Sequence, residues 1–81
     1  MANLYLLTQT ENDDWDTFDS CVVCAETENA ARDIQPGGGD GKWGGEFSPW
    51  CSDPYKVTIR LIGTAALDVR QGVVIASYNA G

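Results

Sequence analysis

Glu11, Asp13, Asp14, Asp16 and Asp19 place five carboxylates within nine residues, interleaved with Trp15 and Phe18. Carboxylates this close can ligate a cation, share general acid and base work, or meet a positively charged partner. Asn12, Asp14 and Asp16 stand where positions 1, 3 and 5 of a calcium loop would stand. The pattern then fails, with Thr17 where the turn needs Gly and Val23 where a bidentate Glu is required. Neither a metal site nor a cofactor is expected. Catalysis by paired carboxylates needs an apolar pocket that raises one pKa, and nothing in this acid run supplies one. Histidine, the usual general base, is absent from the chain. The chain therefore reads as a protein that is not an enzyme. Trp15 and Phe18 are expected to fold back and anchor the segment, which would hold its carboxylates in fixed positions and lower the ordering cost of binding.

Two other motifs come close to known chemistry. Cys21-Val22-Val23-Cys24 has redox spacing, but on a strand residues i and i+3 point to opposite faces. With no second pair and no His, zinc lacks ligands. Cys21 and Cys24 therefore read as buried structural thiols, and Cys51, in an irregular stretch, as the exposed one and a candidate for an intermolecular disulfide. Gly37 to Lys42 resembles a phosphate cradle, but its spacing is one residue short and Trp43 replaces the Ser or Thr that a P-loop needs.

Charge divides the chain. Residues 1–34 contain eight acids and one base, Arg32, a net of −7, while residues 35–81 contain four of each and are neutral. Direct nucleic-acid binding is excluded on this balance, since phosphate contacts demand Lys and Arg. The balance permits a basic protein partner, because a surface of one sign steers encounter with the opposite sign, and it equally fits an acidic surface that only keeps a small protein soluble. Glu26 and Glu28 add to the same acidic half as Asp19. The opening MANLYLLTQT has no basic segment or long apolar run, so no signal peptide is expected. The longest apolar run, Cys21 to Ala25, is five residues, so no membrane span is expected either, and the chain reads as cytoplasmic.

The elements that must position these residues fit a single domain, 1–81. Asn3 to Thr8 reads as a first strand, 9–19 as an acidic loop, and Ser20 to Ala25 as a second, central strand. Thr27 offers an N-cap to a helix over 28–34 that Pro36 and three glycines end. Residues 35–54 form an irregular Gly/Trp-rich loop in which Trp43 and Trp50 argue against plain disorder, with a short hairpin around Trp43–Phe47 as an option. Val57, Ile59 and Leu61 alternate with Lys56, Thr58 and Arg60, which gives a strand with one buried and one wet face. Gly72 to Tyr78 is the fourth strand. The expected fold is α+β in the order β-β-α-β-β, a four-stranded antiparallel or mixed sheet with one short helix packed on one face.

The segments DTFDSCVVCAETENAARDI, WCSDPYKVTIRLIGTA and GVVIASYNAG, together more than half of the chain, resemble small proteins encoded by bacteriophages and prophages. Small acidic single-domain proteins of this type include anti-CRISPR proteins. The resemblance implies a non-enzymatic inhibitor in the host bacterial cytoplasm that occupies a basic nucleic-acid-binding surface of a CRISPR surveillance complex. Glu11, Asp13, Asp14, Asp16, Asp19, Glu26 and Glu28 would supply the charge, with Trp43 and Trp50 as apolar contacts. The competing expectation is a structural or accessory phage module that forms a homodimer through an exposed strand edge or the Trp43/Trp50 loop.

Overall fold

The structure is a computed structural model and describes residues 2–10, 17–36 and 50–79. Four strands, β1 (Asn3–Thr8), β2 (Thr17–Ala25), β3 (Thr58–Thr64) and β4 (Gly72–Asn79), form one sheet in the order β3-β1-β2-β4. Every neighbouring pair is antiparallel. Between β2 and β3 lie the helix α1 (Glu28–Arg32) and a 3-10 turn at Pro54–Lys56.

Alternation of side chains sorts the strands into two faces. Paired across the sheet, Ile59, Leu7, Cys21 and Ala76 make one rank of the inner face, and Leu61, Tyr5, Val23 and Val73 the next. The central members are sealed: Leu7 and Val23 are fully buried, and Tyr5 and Cys21 nearly so. Ala31 of α1, Trp50, Cys51 and Val57 complete this core, with Phe18, Ala30 and Ile34 packed against it. The ends of the second rank escape the cover, since a five-residue helix is too short to reach both edges. Leu61 is 59% exposed and Val73 42%. Leu61 was expected on the buried face. Its direction is as expected, but its place on an edge strand leaves it wet.

Several boundaries differ from expectation for local reasons. β2 begins at Thr17 rather than Ser20, because residues at the end of the acidic segment find strand partners. Gln9 N donates to Asp19 O, Gln9 Nε2 donates to Phe18 O at 2.8 Å, and the Phe18 and Tyr78 rings meet with centroids 4.8 Å apart. The helix stops at Arg32 instead of residue 34, with Asp33 as its C-cap, while Thr27 accepts from Ala30 N as its N-cap. Lys56, assigned by alternation to β3, lies in the 3-10 turn that Asp53 caps by accepting from Tyr55 N. β4 enters through Gly72, whose φ of 131° is a region that L side chains rarely adopt.

Arg32 ties the helix to the turn. Its Nη1 donates to Pro54 O and Val57 O at 3.2 and 3.3 Å, and its guanidinium lies 5.5 Å from the Tyr55 ring centroid. Hydrogen bonds from a charged donor contribute about 1.5–3 kcal/mol where they are shielded, and this site is only partly buried. Arg32→Ala is expected to lower stability by about 2 kcal/mol, and Arg32→Lys to recover only part of it, since one ammonium cannot reproduce the planar fork. Urea unfolding of the three proteins checks this, and an unchanged midpoint in Arg32→Ala would sink it.

Candidate interaction surface

The carboxylates singled out by sequence separate into groups. Asp19 is exposed and is the extra residue of a bulge, lying between the paired residues Phe18 and Ser20. Its Oδ1 accepts from Ser20 Oγ at 3.1 Å. Glu26 and Glu28 are exposed beyond the other end of β2. Seven residues of extended chain separate Asp19 from Glu26, roughly 23 Å. The fold therefore does not gather these three acids into one pocket. It sets them at opposite ends of a central strand. Glu11, Asp13, Asp14, Asp16, Trp15 and Trp43 lie outside the described residues, as does the hairpin expected around Trp43–Phe47. Among the described residues no three His, Cys, Asp or Glu side chains come together as metal ligands. No helix among them is long and apolar enough to cross a membrane.

Two expected contact residues are internal instead. Trp50 is 1% exposed and packs in the core, so its ring is not a surface for a partner. Cys51, expected to be the exposed thiol, is likewise 1% exposed, with its Sγ 3.4 Å from Asp53 O. The physical reason is the same for both. The inner face of the sheet is wider than α1 can cover, and Trp50, Cys51 and Val57 fill part of the remainder. An intermolecular disulfide through Cys51 would require this cover to lift.

The thiols of the Cys21–Cys24 pair diverge. Cys21 belongs to the inner core, where desolvation by burial pushes its thiol up to about 12 from 9.0. Cys24 points to the opposite face and is covered there by the β3–β4 connection, with its Sγ 3.8 Å from Val69 O. Neither has the electropositive, accessible setting of a reactive cysteine.

That opposite face carries the surface the sequence did not reveal. One rank across it is Thr58, Thr8, Ser20 and Ser77, and the next is Arg60, Leu6, Val22 and Ile75. A shallow groove of 180 Å³ runs between Leu6, Val22, Ile75 and the two serines. Ile75 is 66% exposed and Val74 beside it 49%. Of its hydroxyls, that of Ser20 donates to the Asp19 carboxylate. No protein-family model, curated protein or solved structure matches the chain. The surface must therefore be read from its own chemistry. The sequence signal that could have found it is the absence of any charged residue from Gly72 to Asn79.

Proposed function

We propose that the chain is a non-enzymatic, phage-encoded inhibitor of the anti-CRISPR type. In this reading it acts in the host bacterial cytoplasm and binds a basic nucleic-acid-binding surface of a CRISPR surveillance complex through its acidic first 34 residues. The observation that supports it is the division of charge, with the whole net −7 held by those residues. Arg32, the one base among them, donates to two backbone carbonyls of the 3-10 turn and its flank. The roughly 23 Å between Asp19 and Glu26 spans about seven phosphate steps of one nucleic-acid strand. Acids so distributed fit an elongated basic channel better than a compact pocket.

The test compares the native protein with a variant in which Asp13, Asp14, Asp16 and Asp19 are replaced by Asn. Each is added to a purified surveillance complex, and uptake of guide-matched DNA is measured against salt. The native protein is expected to block uptake, and its effect is expected to weaken steeply as salt rises, because charges are screened beyond about 10 Å at 0.1 M and about 3 Å at 1 M. The variant is expected to associate more slowly by 10-fold or more, since such charges act mainly on encounter. Equal activity of both proteins, or none in either, would leave the acid run as a solubility feature.

A further inference from the structure

We infer that Asp19 is a register lock: its exposed carboxylate holds β4 in the register that builds the outer-face groove, and the same ladder has a second, bulge-free register that takes over when position 19 becomes apolar. This is a device of the sheet itself and requires no partner.

Two pairs fix the ends of the ladder. Phe18 lies opposite Tyr78, and Val23 lies opposite Val73. Between them each strand has four residues, 19–22 on β2 and 74–77 on β4. Equal lengths would allow four straight pairs, Asp19 with Ser77, Ser20 with Ala76, Cys21 with Ile75 and Val22 with Val74. The ladder instead makes three, Ser20 with Ser77, Cys21 with Ala76 and Val22 with Ile75. Asp19 and Val74 are left as the extra residues of two bulges, one on each strand, and the second undoes the shift of the first. A bulge leaves its extra residue out of the ladder, so a gain elsewhere must offset two of them.

That gain is at Asp19. Strict alternation from Cys21 would put this carboxylate on the inner face, beside Gln9, which is 5% exposed. An ionised group placed there would lose its water. The first bulge turns Asp19 outward, where it is exposed and its Oδ1 accepts from Ser20 Oγ. Phe18, which alternation would send to the outer face, packs against the core instead. Gln9 serves the bulge with two donors, its N to Asp19 O and its Nε2 to Phe18 O. The core thus receives a ring in place of a charge, and the bulge at Val74 is the consequence.

β4 itself gives the bulged register little advantage. Residues 73–76 are Val, Val, Ile and Ala, so a slide by one residue replaces apolar by apolar on both faces. Val74 and Ile75 are 49% and 66% exposed, so little burial distinguishes the two registers. A strand whose faces differ so little specifies its register weakly. The registers do differ in the groove. Ile75 stands beside Val22 on the outer face in the bulged one. In the straight one it lies opposite Cys21 on the inner face, and Val74 takes its place outside. Asp19 and the groove are therefore coupled: a cation set against the carboxylate holds Ile75 in the groove, and an apolar side chain at position 19 withdraws it.

The experiment reads the register by cross-strand disulfides in the full chain. Ser20→Cys with Ser77→Cys reports the bulged register, and Ser20→Cys with Ala76→Cys reports the straight one. Each pair is made in the native background and with Asp19→Leu, oxidised at low protein concentration, and its intramolecular bridge located by peptide mass. The three native thiols are at most 2% exposed and stay out of the exchange. The native background is expected to bridge 20 to 77 in preference to 76. Asp19→Leu is expected to shift the ratio of the two bridges toward 76 by about 10-fold or more, the order set by the cost of burying a polar group. A substitution that only destabilised the fold would weaken both bridges and leave their ratio alone. An unchanged ratio in Asp19→Leu, or a native preference for 76, overturns the inference. If Asp19→Leu does not fold, Asp19→Ala, which removes the charge without adding bulk, decides it by the same ratio.

Discussion

Trp50→Ala is expected to remove 3–5 kcal/mol, the range seen when a buried aromatic is truncated to alanine. The whole fold of a domain this size is stable by roughly 5–15 kcal/mol, with a small chain toward the low end. The variant should therefore sit at the margin of unfolding at room temperature. Trp50 is among the largest fully buried side chains and touches the same core as Leu7, Val23 and Ala31. Its removal opens the inner face of the sheet where α1 cannot extend. Urea unfolding followed by circular dichroism measures the loss, with Trp50→Phe expected to retain more than half of the difference. A cost below about 1 kcal/mol would mean that the segment carrying Trp50 is not part of the cooperative core. The comparison also separates packing from recognition. If Trp50→Ala lost a partner while keeping its melting curve, the ring would have to be a contact, contrary to its burial.

The second large effect concerns thiol chemistry. All three cysteines are expected to resist modification in the native protein and to react together on unfolding. Cys21, Cys24 and Cys51 are 2%, 0% and 1% exposed. For Cys21, burial that pushes the thiol from 9.0 to about 12 leaves about a thousandth of the ordinary thiolate population near neutral pH, and the thiolate is the reacting species. Labelling with a thiol reagent in buffer and in denaturant, read by mass, should give zero and three additions. One addition on mixing in buffer would contradict the burial of that thiol. The same shift has a sign in pH. Below 9 both states hold the Cys21 proton and stability does not depend on it. Between 9 and 12 the unfolded chain releases the proton and the native chain keeps it, so stability falls as pH rises across that window. Cys21→Ser or Cys21→Val should flatten that part of the profile.

Tyr78 and Phe18 show how far the sequence could be followed. Gly72 to Tyr78 was legible as a strand, and the acid run was legible as a segment with rings inside it. That Phe18 would extend β2 to meet Tyr78 across the sheet was not legible. The contact joins residues 60 apart in the chain, and no local pattern encodes such a pairing. Alternation in Val57 to Leu61 correctly gave the faces of β3 but not the exposure of Leu61, since periodicity fixes direction and says nothing about whether a cover exists. Cys51 failed for a related reason. Neighbouring glycines and serines gave it the look of a surface loop, while its burial depends on how much of the inner face α1 leaves open.

The sequence by itself determined four strands and one short helix, the opposed directions of Cys21 and Cys24, and a charge excess confined to the first 34 residues. These follow from nearest-neighbour properties: side-chain period, capping residues and composition. Only the tertiary structure decided that the strands lie in the order β3-β1-β2-β4. That order makes β3 and β4 the outer strands of the described sheet. It also places Asp19 and Glu26 at opposite ends of one strand, and it turns Trp50 and Cys51 from candidate contacts into core. Strand order is set by which apolar faces can be buried together at least cost to the backbone's hydrogen bonds, a property of the whole chain that no stretch of it contains.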